Sequence, residues 1–393
     1  MAIVLFDNAQ HTKLFPLTAT KAVADLRIGI LKIKEYWQMV SNEKVFIHTA
    51  GYLQCLYEEI SSEKHLWIDA AIVPNEQLVH QILSLETNAA LVDDAGLIAA
   101  NTTVEPIYFS AEKIIQQVDK TIDTINVQRI ELPNDLFQLN DLFIRLHFEV
   151  LTKGRVSQPI SSTNQVIHPE NIFIEEGTVV EYSILNASTG PIYIGRNALI
   201  MEGTCIRGSL ALLDNAVVKM GAKIYGATTI GLNAVAGGEI KNAIISDYSN
   251  KAHDGYLGDS IVGEWCNLGA STSNSNIKNT AGEVKLWNHY SNDYVGAGQK
   301  CGFIMGDYSR AAINSAINTG SSIGVCCNVF GEGLLPTLFN HFSWGSKHLS
   351  KYVFEKALAD INNWKKLKGK SLSEAEITVL KYIFERTNNH EKI

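Results

Sequence analysis

A short stretch in the second half of this 393-residue chain, NKAHDGYLGDS at positions 250–260, carries residue types that suit proton transfer. A histidine accepts a proton near neutral pH because its reference pKa is about 6.5. Lys241 precedes His253 by 12 residues, and Tyr256, Asn267 and Asn276 follow it. An amine must lose a proton before it attacks a carbonyl, so a base of this kind is needed for acyl transfer to nitrogen. The cluster is therefore the first candidate for a catalytic site.

A metal site is the alternative chemistry for the same region. His168 and His289 are the histidines that could join His253, but their spacing matches no metal-binding pattern. The six cysteines, at positions 55, 205, 266, 301, 326 and 327, form no CxxC pair and no zinc spacing. We therefore expect no bound metal at this site and free thiols in a reducing compartment.

The residues on both sides of this stretch repeat every six positions. The series of aliphatic heads runs without a slip through Ile194, Ile200, Ile206, Leu212, Val218, Ile224, Ile230 and Ala236. Small residues dominate the fifth place of each hexad, at Ala198, Thr204, Leu210, Ala216, Ala222, Thr228 and Ala234. A period of six suits short strands joined by tight turns, three to a triangular coil, with stacked coils burying a shared core. The sequence predicts a parallel β-helix from about 166 to 334.

The same period predicts which side chains point inward beyond the interruption. It resumes at Ile261 and Asn267 with Ser271, and again at Ala311, Ile317, Ile323 and Val329 with Ser315, Ser321 and Cys327. On this count Asn267 is an inward head, where it either forms part of an asparagine ladder or binds a ligand.

The two flanking regions differ from the repeat. Residues 1–150 alternate short apolar runs with helical patterns, which predicts an α/β domain with a mostly parallel sheet and a linker helix at its end. The apolar runs are AIVLF, KVFIHTA, HLWID and AALV. The helical patterns are KAVADLRIGILKIKEYWQMV, EQLVHQILSL, AEKIIQQVDKTI and, for the linker, LFQLNDLFIRLHFEVLTKG. Residues 336–393 show helical periodicity and a capping-box pattern at Ser373 and Glu376, so we expect a C-terminal helical tail. The β-helix domain then covers 151–335.

Composition narrows the class of protein. The net charge of −8 argues against nucleic acid as a partner, because binding phosphate backbones needs a basic face. The start MAIVLFDNAQ lacks a basic segment and a long apolar run, and no later run is long enough to span a bilayer. We expect a soluble, cytoplasmic protein with no membrane partner.

The hexads resemble those of the left-handed β-helix acyltransferases. Residues 239–276 resemble the acetyltransferase domain of the bifunctional N-acetylglucosamine-1-phosphate uridyltransferase/glucosamine-1-phosphate acetyltransferase, through the elements Glu239-x-Lys241, His253, YLGD at 256–259 and NLGAST at 267–272, without a gap. The resemblance implies a left-handed coil, His253 as catalytic base, and sugar-phosphate contacts from Lys241, Tyr256 and Asn267. It also places Ala270 and Asn276 by the acetyl-CoA arm, and implies a homotrimer with active sites between subunits.

The family uses two further cations on the sugar phosphate. Lys223 lies near the position of its upstream arginine, and either Lys278 or Lys285 corresponds to its downstream lysine.

The N-terminal region resembles sugar nucleotidyltransferases, and the whole chain resembles the alternative, Bacteroidetes-type form of the bifunctional enzyme. The motifs are LFPLT at 14–18, LRIGIL at 26–31 and FSWG at 342–345. The glycine-rich phosphate loop of the nucleotidyltransferases is absent, since DNAQHTK stands in its place. Lys21 and Arg27 are the predicted nucleotide-phosphate contacts. Asp69, Asp93 and Asp94 are the candidate carboxylates for Mg²⁺, which is expected only if this domain is active.

The expected function is acetyl transfer from acetyl-CoA to glucosamine 1-phosphate, coupled to formation of UDP-N-acetylglucosamine, a cell wall precursor, from UTP. The alternative is a sugar-1-phosphate nucleotidyltransferase whose β-helix serves only trimerisation or regulation. A non-enzymatic scaffold and a different acceptor sugar also remain open.

Overall fold

The computed structural model describes residues 2–125, 127–346 and 350–388. They form two compact units. The first contains Met1–Leu14, Lys21–Leu26 and Leu31–Leu132, and the second contains Phe15–Thr20, Arg27–Ile30 and Pro133–Ile393. Two short N-terminal segments therefore belong to the same unit as the repeat. The predicted domain limits at 150 and 335 stay a prediction.

The first unit is built on a six-stranded mixed sheet. Three neighbouring pairs are parallel and two are antiparallel, in the order Val45–His48, Ile3–Phe6, Lys64–Asp69, Gly96–Thr103, Ala89–Asp93, Lys120–Asp123. Its helical segments are Gln10–Lys13, Val23–Asp25, Ile33–Ser41, Gln54–Leu56, Glu76–Leu83, Pro106–Tyr108 and Ala111–Gln117. The predicted α/β domain is confirmed, and the sheet follows the apolar runs read from the sequence.

Two helix predictions in this region were too long. The segment expected to be helical from residue 21 becomes an α-helix only at Ile33, after a 3₁₀ turn and the short strands Arg27–Ile28 and Leu31–Lys32. Gly29 has φ +64°, and a β-carbon there would lie 2.6 Å from the carbonyl carbon of Phe143. A left-handed residue in close backbone contact cannot continue a helix. Similarly, AEKIIQQVDKTI stops being helical at Gln117 and continues as the strand Lys120–Asp123.

The second unit is a parallel β-helix with three faces. The first face stacks Ile172–Ile174, Ile192–Ile194, Leu210–Leu212, Thr228–Ile230, Ile244–Ile245, Ile261–Val262, Phe303–Met305, Ser321–Ile323 and Leu338–Phe339. The second stacks Val179–Val180, Leu199–Ile200, Val217–Val218, Val235–Ala236, Asn250–Lys251, Asn267–Leu268, Arg310–Ala311, Asn328–Val329, Ser343–Trp344 and the antiparallel Ser350–Lys351. The third stacks Gln165–Ile167, Ile184–Asn186, Cys205–Arg207, Lys223–Tyr225, Glu239–Lys241 and Tyr256–Gly258.

Several further elements complete this unit. The strands Ser273–Asn274 and Ala316–Ile317 pair in parallel, and a hairpin of Lys285–Asn288 with Asp293–Gly296 interrupts the repeat. The helices are Pro133–Gln138, Asn140–Thr152, Pro169–Asn171, Phe354–Lys366 and Glu374–Asn388. The segment expected to be one linker helix is thus two, and the predicted C-terminal helices are confirmed. None of the helices in the described residues is long and apolar enough to cross a membrane.

The hexad prediction is confirmed up to residue 236, wrong by one position at Ile261 and Asn267, and confirmed again from Ala311 to Val329. All eight aliphatic heads from Ile194 to Ala236 lie in the core of the coil. The next inward residues are Ile240, Ile245, Lys251, Leu257, Val262 and Leu268, because the spacing falls to four between Ala236 and Ile240 and to five between Ile240 and Ile245 and between Leu257 and Val262.

The inward heads are therefore Val262 and Leu268 rather than Ile261 and Asn267, and Thr272 is buried in place of Ser271. The asparagine that does point inward is Asn274, whose amide bonds both the N–H (2.9 Å) and the carbonyl (3.0 Å) of Gly258.

An ion pair ties the N-terminal segment Arg27–Ile30 to the coil within this unit. Arg27 Nε and Nη2 donate to the two carboxylate oxygens of Asp247 at 2.8 and 3.0 Å, and Nη1 donates to the carbonyl of Ile30. Both side chains are less than 10% exposed. Asp247 also accepts the N–H of Leu232, which lies in the corresponding corner of the preceding coil. The aspartate therefore satisfies a tight turn and anchors the segment at once.

We predict that Arg27→Met lowers the free energy of unfolding by about 3–5 kcal/mol, because it leaves a buried carboxylate without its cation. Denaturant titration of the full chain measures this change. The control is Lys381→Met, which removes an exposed ion pair of 3.9 Å and should cost at most about 1 kcal/mol. Equal effects of the two variants would contradict the role of the buried pair.

Candidate active sites

The corner at residues 252–255, here called the His253 corner, joins the strands Asn250–Lys251 and Tyr256–Gly258. The side chain of His253 is exposed, and none of the described residues hydrogen-bonds its ring. Its backbone is held instead, since the carbonyl of His253 accepts a hydrogen bond from Lys251 Nζ. A fixed backbone with an open imidazole leaves both ring nitrogens available to a bound molecule.

Three glycines let this corner pack directly against the backbone of the neighbouring coils. A β-carbon at Gly237 would lie 2.5 Å from the carbonyl oxygen of Ala252, and one at Gly238 would lie 2.8 Å from that of Gly255. On the other side, a β-carbon at Gly255, which has φ +120°, would collide with the carbonyl of Thr272. The His253 corner is thus clamped between the coil before it and the coil after it.

The third face of the β-helix presents a polar, cation-bearing surface next to this corner. Register places Lys223, Glu239 and Tyr256 in one outward column, and Lys241 and Gly258 in the adjacent column. Neighbouring strands are about 4.8 Å apart, so these side chains start within reach of one small ligand. The structure therefore brings together Lys223, Lys241 and Tyr256, three of the residues predicted to hold a sugar phosphate.

Tyr256 lies flat over Gly258. A β-carbon at Gly258 would be 2.5 Å from Tyr256 Cζ, so only a glycine leaves room for the ring. Asn276 Nδ2 donates to the hydroxyl of Tyr256 at 3.1 Å and also to Asp259, which accepts from Asn242 as well. Burial, and then the charge of Asp259, raise the pKa of Tyr256 to about 12, so the phenol stays protonated and can donate.

Of the remaining predicted residues, Asn267 and Ala270 lie off the third face, whereas Asn276 contacts Tyr256. Asn267 lies on the second face, in register with Asn250 and Arg310, and its side chain is half-buried. Ala270 is at a turn, and its carbonyl accepts the N–H of Asn314. Asn276 was predicted to touch acetyl-CoA, whereas its amide bonds Tyr256 and Asp259. These contacts do not test the predicted ligand roles, which stay predictions.

The two candidates for the downstream lysine lie outside the third face. Lys278 is exposed and donates to the carbonyl of Glu283, and Lys285 is in the hairpin, in register with Gly296. Sequence reasoning missed Gly258 and Asp259 as parts of the arrangement, although both stand in the YLGD motif. What they contribute depends on contacts with Tyr256 and Asn276 that spacing alone does not reveal.

A second candidate site lies in the first unit, at the carboxyl ends of Ile3–Phe6 and Val45–His48. The chain pairs Ile3–Phe6 with Val45–His48 on one side and with Lys64–Asp69 on the other, and open α/β sheets bind ligands where the strand order reverses in this way. The cleft there has a volume of about 480 Å³. Its lining residues are Asp7, Asn8, Ala9, His11, Thr12, His48, Thr49, Ala50, Phe109, Ser110, Ala111 and Glu112.

Asp7 has an unusual electrostatic environment in this cleft. Its two oxygens accept hydrogen bonds from Thr49 Oγ1 at 2.6 Å and from the N–H of Val23 at 3.1 Å. Burial raises the pKa of Asp7 to about 7, with further repulsion from Asp69 and Asp25. Sequence analysis did not select this residue, because the shift depends on groups that are remote in the chain.

Two of the three carboxylates considered for Mg²⁺, Asp69 and Asp93, are already bound to an arginine, and the third, Asp94, is exposed. Arg129 Nε donates to Asp69 at 2.9 Å, and Nη1 and Nη2 donate to Asp93 at 2.8 and 3.1 Å. Asp69 also accepts from Asn8 and from the N–H of Ala71. With these oxygens occupied, the donor set does not fit a divalent cation. Among the residues the structure describes, no group of three or more metal-binding side chains is found.

The two predicted nucleotide contacts have different surroundings. Lys21 is buried in the first unit, and Arg27 belongs to the second unit, where its guanidinium is paired with Asp247. Their contact with nucleotide phosphates stays a prediction.

The N-terminal part of the chain is similar to a known protein family. Residues 3–156 match the family model described as sugar nucleotidyl transferase. This match includes the mixed sheet and the cleft at its carboxyl edge.

The curated relatives are bifunctional by name, and the name of one of them gives the two activities. Over 224 residues, the chain is 28% identical to "Bifunctional protein GlmU" from Synechococcus elongatus, covering 52% of this chain and 44% of the relative. Over 93 residues it is 31% identical to "Bifunctional sugar-1-phosphate nucleotidylyltransferase/acetyltransferase" from Sulfurisphaera tokodaii, covering 23% of each. The chain thus spans less than half the length of these relatives. The predicted resemblance to the bifunctional enzymes is confirmed.

A solved structure was also matched. The UDP-N-acetylglucosamine acyltransferase of Francisella novicida aligns with a TM-score of 0.30 and 12% identity, covering 57% of this chain and 86% of that one.

We predict that Asp7→Asn stabilises the first unit at high pH but not at low pH. The pKa of Asp7 is about 7 in the folded chain against 3.8 for a free carboxyl, so the folded state binds the extra proton. The native stability that comes from the protonated carboxyl is complete below pH 4 and is lost as the pH rises to 7.

The asparagine variant cannot ionise; its Oδ1 can still accept from the N–H of Val23, while its Nδ2 donates to Thr49 Oγ1, so that the second hydrogen bond is kept with its direction reversed. Its advantage over the native chain should therefore grow between pH 4 and pH 7 by up to about 4 kcal/mol, and then level off. Urea titrations of both proteins across this range measure it. A difference that does not change with pH would contradict the raised pKa.

Proposed function

We propose that the second unit transfers an acetyl group from acetyl-CoA to the amine of glucosamine 1-phosphate at the His253 corner. The observation that carries this proposal is the open imidazole of His253 on a clamped backbone, next to a face bearing Lys223, Lys241 and Tyr256. The names of the bifunctional relatives support the acetyltransferase class. The acceptor sugar is the one that the family resemblance implies.

In this mechanism His253 removes a proton from the substrate ammonium. The neutral amine then attacks the thioester carbonyl, a C–N bond forms and the C–S bond breaks. The nitrogen loses its second proton to the departing thiolate, so that coenzyme A leaves as the thiol. Lys241 and Lys223 supply positive charge for the sugar phosphate, and Tyr256 donates a hydrogen bond to the sugar. Proximity on a rigid coil supplies much of the rate enhancement, because it replaces a bimolecular encounter by a fixed geometry. Ala270 and Asn276 are the proposed contacts to acetyl-CoA. Asn267 is a further proposed contact to the sugar phosphate.

For the first unit we propose uridyl transfer from UTP to N-acetylglucosamine 1-phosphate, which releases pyrophosphate and forms UDP-N-acetylglucosamine. The family match over residues 3–156 supports this class of reaction. A cytoplasmic homotrimer is the proposed setting, in line with the β-helix fold.

The alternative is nucleotidyl transfer alone, with a β-helix that only trimerises or regulates. Calorimetry with acetyl-CoA separates the two, because an inactive coil has no reason to bind the thioester.

We predict that His253→Ala lowers kcat for acetyl transfer by about 100- to 10,000-fold, which is the usual contribution of a general base. Release of free thiol from acetyl-CoA measures this rate, and pyrophosphate release from UTP is followed separately. His168→Ala is the control, since His168 is exposed and pairs only locally with Glu170. Full acetyl transfer by His253→Ala, with its fold and oligomeric mass unchanged, would sink the mechanism.

We predict that Gly258→Ala raises KM for glucosamine 1-phosphate about 3- to 10-fold, the worth of one hydrogen bond, and leaves kcat within about twofold. The added methyl group displaces the ring of Tyr256 from the third face. Tyr256→Phe should reproduce the change in KM, because it removes the same hydroxyl without moving the ring.

The control for this substitution is Gly282→Ala, where the nearest atom to the new methyl group is 3.5 Å away. An unchanged KM in both Gly258→Ala and Tyr256→Phe would show that Tyr256 does not contact the sugar phosphate.

A further inference from the structure

A lysine occupies the interior of the β-helix directly beneath the His253 corner. Lys251 is 2% exposed and is in register with Ala236 in a column that otherwise holds Val180, Ile200, Val218 and Leu268. A hydrophobic residue would fill this position without the desolvation that a buried ammonium suffers. A lysine here therefore needs a reason that core packing does not supply.

The ammonium group of Lys251 binds two backbone carbonyls that belong to consecutive coils. It donates to the carbonyl of Gly237 at 3.0 Å and to the carbonyl of His253. The first carbonyl belongs to the coil below, and the second belongs to the residue that carries the proposed base. The lysine stem fits because its neighbour Ala236 is small.

The surroundings of the corner explain why the hydrogen bonds from Lys251 are useful. Gly237, Gly238 and Gly255 hold the corner between its neighbours from outside by close backbone packing. This packing includes the carbonyl of His253, whose oxygen would lie 2.9 Å from a β-carbon at Gly238. Van der Waals contact limits where this carbonyl can lie but is not directional, and the peptide plane after His253 affects the direction of its Cα–Cβ bond. A hydrogen bond to the carbonyl of His253 fixes that plane.

We propose that Lys251 is a positioning residue, which orients His253 for catalysis by holding its carbonyl from inside the coil. This inference rests on the proposed acetyl transfer. It adds a residue that touches neither substrate but determines how well the base reaches the amine. An error of about 1 Å in the position of a catalytic group can cost about 100-fold in rate, so loss of the hydrogen bonds from Lys251 should lower kcat.

The test uses Lys251→Met in the full chain, because methionine keeps the unbranched stem in the core and removes the donor. We expect kcat for acetylation of glucosamine 1-phosphate to fall at least about 10-fold, with KM for both substrates within about twofold. Lys251→Arg can still donate to both carbonyls and should recover kcat to within about threefold of the native value. A general loss of structure would not separate kcat from KM in this way.

Two further variants keep the outcome decisive. Ser309→Ala removes another interior donor to a backbone carbonyl, that of Gly324, and should leave kcat unchanged. If Lys251→Met fails to fold, Lys251→Gln replaces it, since its amide can donate to one carbonyl and should give an intermediate kcat.

A native kcat in Lys251→Met, or in Lys251→Gln where that variant is used, would overturn the positioning role. Absence of acetyl transfer in the unaltered chain would instead overturn the proposed function, so the two failures are distinguishable.

Discussion

The in-register stacking of the coils is the constraint on which the rest of the β-helix depends. Each turn must point one side chain inward on each face, and each inward column must remain continuous from coil to coil. Regular hexads from Ile194 to Ala236 meet this condition with aliphatic residues. The spacing falls below six between Ala236 and Ile240 and between Ile240 and Ile245, yet the register of the stacked strands is kept. Lys251 and Leu257, on either side of the His253 corner, are again six residues apart, so the proposed active site lies at a corner of regular length.

The buried charged side chains of this unit hold the backbone in place and are not hydrated by solvent. Asp247 closes a coil corner through the N–H of Leu232 and receives Arg27 from the N-terminal segment. Lys251 carries out the same kind of task from the core, with two carbonyls as its partners. Buried charges of this kind are expensive, and each is placed where several polar backbone groups converge. In the first unit, Arg129 likewise joins Asp69 and Asp93, so that both carboxylates are bound by its guanidinium.

Much of this architecture could be predicted from the sequence, because aliphatic residues at a constant spacing of six fit stacked triangular coils and suit neither a helix nor a simple alternating strand. The errors arose where two adjacent residues both suited the interior or where a polar residue replaced an apolar one. Ile261 and Val262 are both buried, so only the register decides that Val262 is the head. Lys251 could not be predicted as a core residue, because lysine side chains are normally exposed to solvent. At the site, His253, Lys241 and Tyr256 stand in one motif and could be selected, whereas Gly258 matters only because the ring of Tyr256 lies on it.

The central claim is that an amine meets a thioester at the His253 corner. A crystal structure of the full chain with glucosamine 1-phosphate and coenzyme A tests it most directly. We expect the sugar amine within about 3 Å of a ring nitrogen of His253, which is hydrogen-bonding reach, with the phosphate beside Lys241 or Lys223. A sugar phosphate bound with its amine away from His253, or bound elsewhere on the β-helix, would contradict it.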